Sequence, residues 1–303
     1  MKVYLFLLVI ICSSLNSFAQ LATKYDDQSR NFIYEGFEAV YNFQFDKADS
    51  IYELVAQKFP NDAFPFMISV NNYWWRIISG ERTDENVAKC YSEVNKAIDL
   101  LKQTDKDEMS NEEIFYVTGF VGYKLRLKIL EDDLMSAANL GRTHISYIKN
   151  SVKHYDEFIP FFLTAGIYNY LMDYGLNHYP ILYPTLIFLP NGDREIGLRL
   201  LTLLLKNDDL ILKTEAHYFL MRIYIELEHD YLTAYKITKS LAEMYPMNLK
   251  FQQYYLDNLL NLGKMDEARK LKLQIIKSAN SNKSLTENQR LKFINYAEKV
   301  LPG

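Results

Sequence analysis

Apolar and small residues recur at helical spacing along most of the chain, beginning close to residue 30. Two stripes come first: Phe32, Gly36 and Ala39, then Ala48, Tyr52, Val55 and Phe59. Spacing of three and four residues predicts amphipathic helices, and Pro60 ends the second stripe. Gly36 is unfavourable inside a helix, so we expect two helices to touch closely there. The pattern predicts a helical hairpin over residues 29–62.

The same hairpin pattern returns twice near the C-terminus. Ala48 and Ala234 are each followed twelve residues later by a proline, Pro60 and Pro246. Ala268 comes 34 residues after Ala234 (268 − 234 = 34). A period of this length is typical of helical-hairpin repeats. We therefore predict repeats at 29–62, 215–247 and 249–280.

These units resemble the tetratricopeptide repeat family. The residues that carry the resemblance are Gly36, Ala48, Tyr52 and Pro60, then Tyr218, Ala234, Leu241 and Pro246, then Gly263, Met265, Asp266, Glu267, Ala268 and Ile275. Two positions depart from the family pattern: Val55 stands at a small-residue position, and Asn280 at a proline position. The resemblance implies antiparallel helix pairs in a right-handed superhelix. It also implies a concave groove, lined by the front helices, that holds peptides or partner proteins.

Degenerate helix pairs fill the space between the clear repeats. We expect a helix over 86–101 and another from the capping box of Ser110 and Glu113 to about residue 130. The mate of that helix begins at Asp132 or Asp133, and a further helix runs from about Glu157 to a C-cap around Tyr174 and Gly175. Residues 285–300 predict a capping helix, which a repeat array needs at its end. The fold expectation for 20–303 is a single all-α solenoid of five or six tetratricopeptide-like pairs, without a sheet.

The family register assigns a set of residues to the predicted groove. They are Asn71, Trp74 and Trp75 in the second unit, and Ile223, Glu226, Gln253, Asp257 and Asn261 in the last two. The alternative is that Trp74 and Trp75 pack between units. If they do line the groove, aromatic faces beside amides suit either an extended peptide or a sugar ring.

Residues 176–192 interrupt the helical rhythm with three prolines and an apolar run. Ile181, Leu186, Phe188 and Leu189 either pack beneath neighbouring helices or form a docking surface for a partner or a membrane. The stretch 174–246 also faintly resembles the inclusion-body-clearance family of tetratricopeptide proteins, in which a proline-containing segment precedes a Gly-Asp-Arg turn.

Residues 1–19 have the pattern of a secretory signal peptide. Lys2 precedes an apolar run, and Ala19 follows Ser17 at the expected cleavage site. A membrane anchor is the alternative, although the run is shorter than the ~20 residues that span a bilayer. Cys12 raises a lipoprotein hypothesis, but Ile10 and Ile11 stand where such sites prefer a small residue. We expect export to the periplasm of a diderm bacterium or another extracytoplasmic compartment.

Composition and motifs favour a binding protein over an enzyme. The net charge of −4 argues against nucleic acid as a partner. None of the five histidines stands at metal-ligand spacing from another His or Cys, and no nucleophile elbow or phosphate loop occurs. We expect no cofactor. The expected function is a non-enzymatic protein- or peptide-binding scaffold of the cell envelope, with carbohydrate binding as the alternative and an enzyme third.

Overall fold

A computed structural model describes residues 21–22, 24–178 and 189–301, and the predicted leader lies outside these ranges. Within them the chain is helical without a strand, as predicted. The α-helices in these ranges are α1 Asp27–Tyr41, α2 Phe45–Lys58, α3 Phe66–Ser79, α4 Asp84–Leu101, α5 Asn111–Leu130, α6 Leu134–Thr143, α7 Ile145–Lys153, α8 Phe161–His178, α9 Arg194–Leu204, α10 Leu210–Arg222, α11 Tyr231–Met244, α12 Leu249–Asn261, α13 Met265–Ser281 and α14 Glu287–Val300. Each helix packs on the next, which gives a solenoid-like array.

Side-chain caps fix the helix boundaries where the sequence predicts them. Ser110 and Glu113 form a reciprocal capping box at the start of α5, as expected. Asp133 caps α6, and Thr286 with Gln289 forms a second capping box at the start of α14. Such caps satisfy backbone N–H groups that have no partner inside the helix.

The contacts between α2 and α3 show that these two helices run antiparallel. At one end of the α2–α3 pair the Asn72 amide donates to Phe45 O at 3.0 Å, and at the other end Tyr52 packs edge-on against Phe66. The close contact expected at Gly36 is present, since a Cβ there would lie 2.9 Å from Cδ1 of Ile68.

Four of the hairpins use one loop geometry. In each, three residues precede the second helix, counted after the π-helix 223–227 in the case of α11, and the middle one is left-handed, with φ of 56° at Phe43, 59° at Asp132, 52° at His229 and 67° at Gly263. The last two are 34 residues apart (263 − 229 = 34), which is the period found in the sequence. The hairpin therefore recurs in backbone conformation as well as in sequence.

The backbones of α8 and α9 approach closely at two glycines. A Cβ on Gly197 would lie 2.6 Å from Tyr170 N, and a Cβ on Gly192 would lie 2.4 Å from Asn169 O. The prediction for the end of α8 is wrong, because α8 continues past Gly175 to His178. The separate helix α7 was not expected from the sequence.

The two ends of the array pack against each other. The Asn248 amide donates to Tyr41 O at 2.9 Å, and the Gln289 amide donates to Ser79 Oγ at 2.6 Å. The Phe43 ring lies 6.4 Å from that of Phe293. These contacts join α1 and α3 to α12 and α14, so the first helices pack directly against the last ones.

Residues just before α1 take part in this closure. The backbone N–H of Leu21 donates to Asp209 at 2.9 Å, and that of Ala22 donates to Glu112 at 2.9 Å. Both residues are buried, and Tyr25 packs edge-on against Phe59. The start of the described chain thus lies among α1, α5 and α10. Among the described helices, none has the length and apolar character to span a bilayer.

Candidate functional site

The predicted groove residues of α3 lie in the core. Asn71 is 1% exposed, Trp74 5% and Trp75 1%. The Trp75 indole packs edge-on against Tyr218 at 5.4 Å and Phe251 at 5.1 Å. Assigning these three residues to an open groove was therefore wrong, and the reason is the closure of the array. The face of α3 that carries Trp75 is covered by α10 and α12.

The burial of both tryptophans also bears on the carbohydrate alternative. That hypothesis needs an accessible aromatic face on which a sugar ring can stack. Trp74 has its neighbours Tyr123 at 6.1 Å and Arg126 at 5.6 Å, and Trp75 lies between two other rings. Neither indole offers a free face, so the feature that suggested sugar binding is not accessible in this arrangement.

A charged group lies beside these rings. Glu215 on α10 is buried and accepts a hydrogen bond from Tyr41 Oη at 2.9 Å. Burial raises the pKa of Glu215, while Arg126 and hydrogen bonds from Tyr41 and Asn71 act in the opposite direction. A carboxylate with its own hydrogen-bond donors can persist in a core only if those donors stay in place. Glu215 thus ties α1 and α3 to α10.

Arg126 of α5 lies over three aromatic rings from three helices. Its guanidinium carbon is 5.6 Å from the Trp74 ring, 4.7 Å from Tyr123 and 5.0 Å from Phe219. Cation–π contacts of this kind hold a guanidinium in place and leave its edge N–H groups available. The buried Nε1 atoms of Trp74 and Trp75 have no hydrogen-bond partner in the described part of the chain.

Three of the groove residues predicted in the last two units, Glu226, Gln253 and Asp257, lie on a surface that remains accessible. We call it the polar face, and it consists of Arg222, Glu226, Lys250, Gln253, Tyr254, Asp257 and Tyr296 from α10, α12, α14 and the turn after α10. Arg222 binds Glu226 at 2.7 Å, and Tyr254 Oη donates to the other oxygen of Glu226 at 2.9 Å. The structure thus brings Glu226 together with α12.

The remaining polar-face residues pair in a second group. Lys250 Nζ donates to Gln253 Oε1 at 3.2 Å, and Tyr296 Oη donates to Asp257 at 2.5 Å. Burial raises the pKa of Asp257 and lowers that of Lys250, to which the nearby charge of Lys292 adds. Gln253 and Asp257 therefore sit in a half-buried, ordered environment rather than in free solvent.

The last two predicted groove residues stand outside this arrangement. Asn261 is exposed, and its amide donates to Asp257 O one turn earlier on the same helix, at 2.8 Å. Ile223 is 4% exposed and belongs to the core. Assigning Ile223 to the groove surface was therefore wrong.

A π-helix places Glu226. Residues Ile223–Leu227 follow α10 with this wider winding, and the Asp230 N–H donates to Tyr224 O at 2.8 Å. Such segments are rare and occur frequently at functional sites. Beyond it, Glu228 accepts from both Nε and Nη2 of Arg194, at 2.8 and 2.7 Å, and from Tyr170 Oη at 2.6 Å. The end of α10 is thereby fixed to α8 and α9.

The apolar segment 176–192 is only partly described. Ile181, Leu186 and Phe188 lie outside the described residues, and Leu189 is half-buried. Tyr168 Oη donates to Pro190 O at 2.7 Å, so Pro190 lies beside α8. The choice between core and docking surface stays open for the undescribed residues.

Sequence reasoning missed the cationic partners at this site: Arg126, Arg222 and Lys250. The apolar positions of α5 surround the helix, and buried residues fall on nearly every side. In such a helix the apolar residues mark no single face, so the sequence does not show on which side Arg126 lies. Arg222 was findable, since it stands four residues before Glu226, at the spacing of a helical ion pair.

The described residues contain no group of three or more His, Cys, Asp or Glu side chains arranged to hold a metal ion. Cys90 is buried, and burial raises its pKa to about 12, so its thiol is a packing group at neutral pH. The site offers hydrogen bonds, ion pairs and aromatic rings to a ligand. No protein-family model matches the chain, and no curated protein sequence matches it at a significant level.

Proposed function

We propose that this protein is a non-enzymatic scaffold of the cell envelope that binds a protein or peptide through a tetratricopeptide-like helical array. The proposal includes export by the N-terminal leader and excludes nucleic acid as a partner. The observation that carries it is the polar face, where charged and amide side chains from consecutive repeats lie side by side. Hydrogen bonds between those side chains hold them in place before any partner arrives.

The recurrence of one hairpin supports the tetratricopeptide-like part of the proposal. Two consecutive hairpin loops with left-handed middle residues stand 34 residues apart, as the alanine spacing does. A repeat array places equivalent residues of successive units in a row, which suits an extended segment. The closure of the array limits this row to α10, α12 and α14.

A display library of random peptides tests the proposal. We expect wild-type protein to enrich specific peptides and the double variant Gln253→Ala/Asp257→Ala to bind them at least about tenfold more weakly, since each lost side chain removes a hydrogen-bonding group of the polar face. The matched control is Arg269→Ala/Lys277→Ala on α13, where both side chains are exposed. Equal binding by all three proteins, or no enriched peptide at all, contradicts the proposal.

A further inference from the structure

Three arginines of the described chain lie over aromatic rings, and they differ in one respect. Arg76 over Phe45 has a carboxylate of Asp49 at 2.6 Å, and Arg222 over Tyr218 has one of Glu226 at 2.7 Å. Arg126 lies over three rings and forms no ion pair or hydrogen bond with any described residue. The guanidinium with the most ring contacts is thus the one without an acceptor.

Several N–H groups at and beside the Arg126 guanidinium have no hydrogen-bond acceptor among the described residues. A guanidinium has five N–H donors and no acceptor. Trp74, one of the rings under Arg126, carries a further donor, since its buried indole Nε1 has no partner among the described residues. Glu215 accepts a hydrogen bond from Tyr41 and interacts electrostatically with Arg126, but the two side chains form no ion pair. Groups with unused donors fit an acceptor that arrives with a ligand.

Arg126 is also placed where a ligand on the polar face would extend. Tyr218 and Phe219 are adjacent on α10, with their ring centroids 5.7 Å apart. Arg126 lies over Phe219, and Arg222 of the polar face lies over Tyr218. Arg126 is half-buried, so its guanidinium remains partly accessible. One aromatic pair therefore joins the unpaired guanidinium to the polar face.

We propose that Arg126 binds an oxyanion, a carboxylate or phosphate group, carried by the segment that occupies the polar face. A planar guanidinium held by rings presents two parallel N–H groups to such an oxyanion. This inference rests on the proposed function, because it names the chemical group that the bound segment supplies. It makes no demand on the remaining sequence of that segment.

Intrinsic fluorescence offers a direct measurement, because the only two tryptophans are Trp74 and Trp75. The probes are hexaglutamate with both ends blocked, a neutral peptide with a free C-terminal carboxylate, and inorganic phosphate. They separate acidic side chains, chain termini and phosphate as the source of the oxyanion. We expect at least one probe to give a saturable change in emission at concentrations up to about 10 mM.

Variants of the two arginines decide the assignment. Arg126→Gln should weaken the effective probe by about tenfold or more, since a charge-assisted bidentate contact is lost. Arg199→Gln removes the same charge from an exposed position on α9 and should leave affinity unchanged. Arg126→Lys keeps the charge near Glu215, so it remains usable if Arg126→Gln fails to fold, and it should bind at least several-fold more weakly than wild type.

Two outcomes overturn the inference: no saturable binding of any probe to the wild type, or affinity in a folded Arg126 variant equal to that of wild type. The failure of the proposed function looks different. If library peptides bind through Gln253 without dependence on Arg126, the result supports the scaffold function and contradicts the oxyanion site. If a probe binds through Arg126 but no peptide is enriched, the result supports the oxyanion site and contradicts the proposed peptide binding.

Discussion

The indole of Trp75 meets the ring of Phe251 edge-on, with centroids 5.1 Å apart and the planes at 81°. The two residues belong to helices at opposite ends of the array, α3 and α12. Their contact fills the space that an open superhelix would leave to a partner. This one pair explains why the polar face, and not the inner face of α3, is the accessible surface.

Truncating that indole tests the closure. We expect Trp75→Ala to lower the free energy of unfolding by about 3–5 kcal/mol, because a buried aromatic is replaced by a cavity between the two ends. Chemical denaturation measures it. Leu54→Ala on α2 is the control, since that side chain is 57% exposed and should change stability by less than about 0.5 kcal/mol. A Trp75 variant as stable as the control would mean that the indole is not buried in solution.

The left-handed loop positions give a pair of opposite predictions. Gly263→Ala should destabilise by about 1–2 kcal/mol, because a Cβ strains the left-handed conformation while meeting no atom within 4 Å. His229→Gly at the equivalent position should relieve strain and stabilise by up to about 1 kcal/mol. Thermal melts of both variants decide the matter, and a shift of the same sign in both would argue against a shared loop geometry.

Glu228 predicts a loss of stability in acid. Hydrogen bonds from Arg194 lower the pKa of Glu228 below its ordinary value of 4.5, and one from Tyr170 adds to this. A carboxyl group with a lowered pKa stabilises the fold above its unfolded-state pKa, and this contribution disappears as the pH falls through the folded-state value. We expect Glu228→Gln to be less stable than wild type at pH 7. The difference should shrink as the pH falls below 4.5. Melting curves across this range measure it, and a difference that stays constant would contradict the prediction.

Glu215 predicts the opposite dependence. Burial raises its pKa above 4.5, so its contribution is fully present below that value and is lost as the pH rises through the folded-state pKa. Gln keeps an acceptor for Tyr41 and carries no charge. The stability of Glu215→Gln relative to wild type should therefore improve from pH 4 to pH 8. A relative stability that falls over this interval would show that Arg126 outweighs burial.

The sequence predicted local structure well, because local structure depends on residues close together in the chain. The alanine spacing, the capping box at Ser110 and the close contact at Gly36 were all found and are present. The groove assignment failed for Trp74 and Trp75 because periodicity shows which face of a helix is special, but not which helix covers that face.

The sequon at Asn282 shows the same limit from another side. Asn282 and Ser284 form an Asn-x-Ser sequon, the acceptor pattern of N-glycosylation, but Asn282 is only 6% exposed. Its side-chain oxygen accepts from the Ser284 N–H at 3.0 Å, and its amide reaches Phe43 O at 3.4 Å. Asn282 and Ser284 form a turn that packs against the loop after α1. This contact joins distant parts of the chain, so the local sequence pattern does not show it.

The packing of the array's two ends also changes how the molecule should come apart. An open repeat array unravels from its ends, because each unit depends only on its neighbours. Here α14 covers Phe43 and holds Ser79 through Gln289, so the last helix supports the first pairs directly. We therefore expect that neither end of the array unfolds independently of the other. Loss of α14 should uncouple residues near position 43, and unfolding should be one concerted transition rather than a stepwise erosion of repeats.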